Sequence, residues 1–195
     1  SSLEGLVNIN TQGIQEWTVP ASGDYIIEAA GAADYENRGK GAILKGKVTL
    51  TAGEVLKIVV GQQSLDRGGA GGSFVVSPPY NNTSSALIVA GGAGGKEENV
   101  NRNGLTTTSG RYAGNNHPRN GKGGSNGGGG GGAISGSGGG GGGFLGNGGD
   151  GSTGSYCNSG GGAGGNGTNG SNGSCGILRS GTGGDAFING AKGGS

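Results

Sequence analysis

The residues able to do chemistry in this 195-residue chain are few and far apart. The single histidine, His117, lies in Asn115-Asn116-His117-Pro118 with no companion ligand, so it reads as a loop histidine, not a base or metal ligand. Cys157 and Cys175 are separated by 17 residues, and two thiols are too few for a structural zinc site. A disulfide between them is the expectation, closing a loop worth about 3 kcal/mol in the chain-entropy model. Asn81, Asn82, Asn166, Asn169 and Asn172 each begin an Asn-x-Ser/Thr sequon, which makes them candidate N-glycosylation sites and favours an extracellular, secreted or cell-surface location.

Other motifs dissolve on inspection. Gly-x-Gly-x-x-Gly recurs, but no copy follows a predicted strand and opens a helix, and no Gly-Lys-Ser/Thr closes a phosphate loop. Gly181-Thr182-Gly183-Gly184-Asp185-Ala186-Phe187-Ile188 faintly matches a calcium β-roll repeat, without the tandem nonapeptide period such rolls need. Carboxylates alternate with bases, as in Asp34-Tyr35-Glu36-Asn37-Arg38 and Lys96-Glu97-Glu98, a pattern expected of solvated loops. The net charge of +1 argues against a nucleic-acid partner. The expectation is a protein that is not an enzyme, uses no cofactor or metal, and does not insert this segment into a membrane, since no stretch approaches the roughly 20 apolar residues of a span.

The elements that must hold these residues fall into two compositional halves. The first 90 residues contain 13 of the 56 glycines and several short β-branched or aromatic runs separated by turn residues. Strands are expected over Ile14–Val19, Asp24–Ala29, Ala42–Leu50, Val55–Val60, Ser73–Val76 and Ala86–Ala90, with turns at Pro20–Gly23 and Thr51–Glu54. Six short strands without a helical period predict an all-β sandwich with essentially no α-helix. So small a core should lean on the rest of the chain for cover.

Residues 91–195 speak a different language. Gly127, Gly128, Gly129, Gly130, Gly131 and Gly132 form one unbroken run, and Gly138, Gly139, Gly140, Gly141, Gly142 and Gly143 another. Composition alone reads as flexible linker, because glycine loses the most backbone entropy on folding and buries no side chain. The alternative is a bundle of polyproline-II strands whose amides and carbonyls point outward in three directions and bond to neighbours. Consecutive glycines then mean a strand crowded on every face, with these twelve glycines as bundle core. Phe144, Leu145 and Ile134 would cap or cover it. The division is 1–90 for the β-sandwich and 91–195 for the glycine-rich bundle, packed together as one unit.

Gly13-Ile14-Gln15-Glu16-Trp17-Thr18-Val19-Pro20-Ala21-Ser22-Gly23-Asp24-Tyr25-Ile26-Ile27-Glu28-Ala29-Ala30-Gly31-Ala32, then Leu56-Lys57-Ile58-Val59-Val60-Gly61-Gln62-Gln63, then Ala86-Leu87-Ile88-Val89-Ala90-Gly91-Gly92-Ala93-Gly94-Gly95 stand in order before the glycine runs. This succession resembles the TNF-like and glycine-rich extracellular region of the anaplastic lymphoma kinase and leukocyte tyrosine kinase receptors, and of related secreted glycine-rich proteins. The resemblance implies a TNF-like β-sandwich with an inserted bundle of glycine polyproline-II helices. It departs where Gly31-Ala32-Ala33-Asp34-Tyr35-Glu36 replaces the usual glycine-rich segment. The function expected is an extracellular structural or adhesive module whose loops Glu97–Arg119, Ser152–Asn158 and Asn166–Arg179 meet a protein or cell-surface partner, with self-assembly into a homo-oligomer, filament or coat as an extension. A receptor ectodomain binding a protein ligand and a viral or bacterial tip adhesin are the alternatives.

Overall fold

The computed structural model describes residues 6–11, 13–34, 36–63, 69–95, 101–110, 121–131, 141, 143–149 and 187. His117, Ile134, Cys157, Cys175, Asn166, Asn169, Asn172, Gly132, Gly138, Gly139, Gly140 and Gly142 lie outside them, as do the loops Ser152–Asn158 and Asn166–Arg179. The described residues are mostly strand: β1 (Val7–Thr11), β2 (Ile14–Thr18), β3 (Gly23–Ala30), β4 (Ile43–Leu50), β5 (Val55–Val59), β6 (Ser73–Val76) and β7 (Ala86–Ala90). Helical structure among them is confined to one 3-10 turn, Thr83–Ser85. All-β architecture follows, with every expected strand in place to within a residue or two.

One strand falls outside the expected set. In β1, Val7, Ile9 and Thr11 alternate with Asn8 and Asn10, and asparagine is depleted in strands. Pairing to β2 through Val7 with Trp17 and Asn8 with Glu16 extends it nevertheless.

Five strands form an antiparallel sheet in the order β1-β2-β5-β6-β7, and β3 and β4 form a separate antiparallel hairpin. Alternation assigns the faces, because successive side chains on a strand point to opposite sides, except where a register shift between β6 and β7 lets the adjacent Leu87 and Ile88 join one cluster. Leu56, Val75, Trp17, Ile58, Leu87 and Ile88 of the large sheet meet Tyr25, Ile27, Val48 and Leu50 of the hairpin in one apolar cluster that also holds Val19. The turn between β4 and β5 is fixed by Gly53, whose φ of 84° lies in the left-handed region that favours glycine, and by a reciprocal exchange of bonds between its neighbourhood and Val19.

The opposite face of the large sheet presents Ile14, Val59, Phe74 and Val76, and the glycine-rich half covers it. Phe144 and Phe187 stack at 5.2 Å between ring centroids, and both lie against Phe74, at 5.9 and 6.3 Å. Leu145 joins the same cluster. Phe144 and Leu145, expected to cap a bundle, therefore serve as the apolar cover of the sheet. Each buried Phe contributes on the order of 1.5–3 kcal/mol by removal of apolar area from water.

Candidate functional site

The most unusual construction in the molecule is the web of backbone at one end of the two sheets. There β3 runs on into Gly31–Asp34, Lys40–Ala42 leads into β4, β5 continues into Gly61–Gln62, Gly69–Gly72 leads into β6, and β7 continues into Gly91–Gly94. Side chains shrink to Gly and Ala at these points, and hydrogen bonds leave the plane of the sheet. Gly91 O accepts from Ala42 N–H (2.8 Å), Ala93 O from Ala70 N–H (2.9 Å), Ala93 N–H donates to Ala32 O (2.9 Å), and Gly94 N–H to Arg102 O (2.8 Å). The segment Gly91–Gly94 is thus bonded to four different segments. A β-strand has neighbours on two sides only.

Such proximity leaves no room for a Cβ. One added at Gly31 would fall on the Gly91 carbonyl, at Gly41 on the Gly31 carbonyl, at Gly61 on Gly71, and at Gly92 on the Ala70 carbonyl. A second group repeats the arrangement around Gly127–Gly131: Gly130 N–H donates to Gly141 O (2.8 Å), Gly131 N–H to Lys122 O (2.7 Å), Leu145 N–H to Gly127 O (2.7 Å) and Gly149 N–H to Gly130 O (2.8 Å). A Cβ on Gly69 would stand 3.3 Å from Gly141 N, so the two groups adjoin. Gly127, Gly128, Gly129, Gly130, Gly131, Gly141 and Gly143 accordingly sit among other backbone segments. The first group is built by glycines of the first 95 residues. Its local signal is the Gly/Ala doublet that directly follows β3 and β7 or precedes β4 and β6.

A charged cluster is enclosed in this web, and it corrects the solvated-loop reading at Asp34 and Glu36, whereas Asn37 and Arg38 are exposed. Asp34 is fully buried and Arg102 only 8 % exposed. Arg102 Nη1 donates to Asp34 Oδ2 at 2.7 Å and lies 3.5 Å from Glu36 Oε2. Asp34 Oδ2 also accepts from Gly39 N–H (3.0 Å) and Oδ1 from Arg38 N–H (2.9 Å), while the Gln63 amide donates to the Asp34 carbonyl. Arg102 sits in the stretch Glu97–Arg119 expected to be an outward contact loop, yet it turns inward because Asp34 needs a counter-ion once the web excludes water. Lys40 N–H to Asn103 Oδ1 (2.9 Å) and Gly104 N–H to Lys40 O (2.8 Å) fix the same stretch. Both Asp34 oxygens accept from backbone or guanidinium N–H groups, which gives the carboxylate a structural task. Among the described residues no group of three or more His, Cys, Asp or Glu could hold a metal ion.

The exposed polar features are divided between the two ends of the sheets: Thr106–Gly110 follows the web segment that holds Arg102, whereas Tyr80, Asn81 and Asn82 lie between the end of β6 and the start of β7, at the opposite end. Thr106–Gly110 is exposed, in contrast to Arg102. Asn81 and Asn82 are exposed, and the Asn82 carboxamide oxygen caps the 3-10 turn by accepting from Ser85 N–H (3.1 Å) and Ser84 Oγ–H (2.5 Å). Tyr80 donates its hydroxyl to Val55 O (2.8 Å), with Lys57 Nζ 4.4 Å over its ring. Burial, and then the charges of Glu16 and Glu54, push this phenol above its ordinary value. On the outer hairpin face the Lys47 ammonium, and then the Thr49 hydroxyl, hold the Asp24 carboxyl below the usual carboxylate range.

No family model matches the chain, and no curated protein is significantly similar to it. Among the described residues no helix is long and apolar enough to cross a membrane.

Proposed function

We infer that this chain is a non-enzymatic extracellular module in which a bundle of polyproline-II glycine strands, carried on a TNF-like β-sandwich, is a stiff scaffold and the loops at its rim are the contact surface for a protein or cell-surface partner. The observation that supports this reading is the bonding of Gly91–Gly94 to four separate segments. A polyproline-II strand offers its amides and carbonyls in three directions and has no internal hydrogen bonds, so it is satisfied only when surrounded. The result is a body whose rigidity comes from main chain, leaving side chains at the rim free to vary. Order of the landmark residues from Gly13 to Gly95 supports the likeness to the kinase-receptor ectodomains and their secreted relatives, and with it a location outside the cell.

The reading is tested by producing the chain through a eukaryotic secretory pathway and mapping its modifications by mass spectrometry. The expected product is soluble, carries a Cys157–Cys175 disulfide and bears glycan in the Asn81-Asn82-Thr83-Ser84 segment. Free thiols and an unmodified segment in secreted, folded protein would overturn the extracellular assignment.

A further inference from the structure

The hairpin β3–β4 buries one face against the large sheet and leaves the other in solvent, and the charges on that outer face are sorted by strand. β3 carries both acids, Asp24 and Glu28, and β4 both bases, Lys45 and Lys47. Lys47 Nζ is 2.7 Å from Asp24 Oδ2 and Lys45 Nζ 3.6 Å from Glu28 Oε2. Exposed pairs of this kind contribute about 0–1 kcal/mol each, and one acid with one base on each strand would pair as well. Sorting adds something the fold does not require: a negative edge and a positive edge on one flat surface. Two large apolar side chains share it, Ile26 and Ile43, which are 63 % and 64 % exposed.

We propose that this face docks a second copy of the chain, face to face, about a two-fold axis running along the strands between β3 and β4. That rotation lays each β3 over the other copy's β4. Because Glu28 stands opposite Lys45, Ala30 opposite Ile43, Ile26 opposite Lys47 and Asp24 opposite Thr49 within the hairpin, the same axis sets Glu28 of one copy over Lys45 of the other, Ile43 over Ala30, Ile26 over the Lys47 stem, and Asp24 over Thr49 and diagonal to Lys47. A two-fold axis across the strands would instead place acid on acid and base on base. The charge order thus favours this isologous contact over the alternative axis, and aligned sheets pack about 10 Å apart. Two strands of this length span only about 26 Å by about 10 Å, far short of the roughly 800 Å² per partner of a stable complex. The contact is therefore weak, needs high local concentration as in a surface coat, and loosens with salt, since exposed charges are screened beyond about 10 Å at 0.1 M. It deepens the scaffold reading by naming a partner, yet rests on the hairpin by itself: its failure would leave the glycine bundle and the secretory test untouched.

Sedimentation of the full chain at up to about 1 mM, in low and high salt, is the measurement. The fourfold swap D24K/E28K/K45E/K47E preserves net charge and the pairs within the hairpin. The wild-type chain and the swapped chain should each self-associate, whereas a mixture of the two, one fluorescently labelled, should form no mixed dimer. A second variant, I26S/I43S, alters only exposed side chains and should weaken self-association by about tenfold. A strict monomer at the highest concentration, mixed dimers as tight as the parent ones, or association indifferent to I26S/I43S would each overturn the proposal.

Discussion

Arg102 shows how a single side chain far along the sequence decides the state of another. Asp34 is fully buried, and its charge is tolerable because one guanidinium and two backbone N–H groups reach it. Removing one member of a buried pair leaves an uncompensated charge, which costs about 3–5 kcal/mol. R102A should therefore lower stability by that amount in urea unfolding followed by Trp17 fluorescence. The double variant D34N/R102A should recover part of the loss. A loss below about 1 kcal/mol in R102A would mean that water reaches the pair. None of this was legible locally: Asp34-Tyr35-Glu36-Asn37-Arg38 mixes acids with a base as solvated loops do, and the partner of Asp34 is 68 residues away.

At the level of elements, glycines that look alike in sequence have opposite tasks. Gly92 stands where a Cβ would strike the carbonyls of Ala70 and Gly71, whereas Gly46, inside β4, has nothing within 4 Å. G92A should destabilise by about 1–3 kcal/mol through overpacking, because the obstacle is main chain and cannot rotate away. G46A should stabilise by about 0.5–1 kcal/mol, since glycine in a strand interior carries an entropy cost that alanine lacks. Thermal melts of the two variants should move in opposite directions, and parallel shifts would contradict close packing at Gly92. Strand positions were readable from β-branched runs with period two and turn residues between them. What lay beyond reading was that those strands continue as glycine segments which bond out of the plane of the sheet.

For the whole molecule, the question is whether the two compositional halves unfold together. Phe144, 1 % exposed, belongs to the glycine-rich half but packs on Phe74 of β6. Trp17 reports from the other side of the same sheet, in the cluster between sheet and hairpin. F144A should cost about 3–5 kcal/mol. If the halves form one cooperative unit, the Trp17 fluorescence transition should shift to lower urea by the full amount with its slope unchanged. An unmoved Trp17 midpoint would show that the sheets fold without their cover.

Sequence by itself determined the strand-rich character, most strand boundaries and the absence of helical periodicity, because these depend on local alternation and turn chemistry that neighbouring residues set between them. It also singled out the six-glycine run that begins at Gly127, and the described part of that run, Gly127–Gly131, is bonded to other backbone segments. Tertiary structure alone decided that Gly31, Gly41, Gly61 and Gly92 lie against the carbonyls of Gly91, Gly31, Gly71 and Ala70, that Arg102 neutralises Asp34, and that Phe144 and Phe187 close over Phe74. Each of those contacts joins residues ten or more apart in the chain, and a glycine carries no side chain whose pattern could announce its partner; backbone atoms are identical in every residue, so only their arrangement in space selects which ones meet.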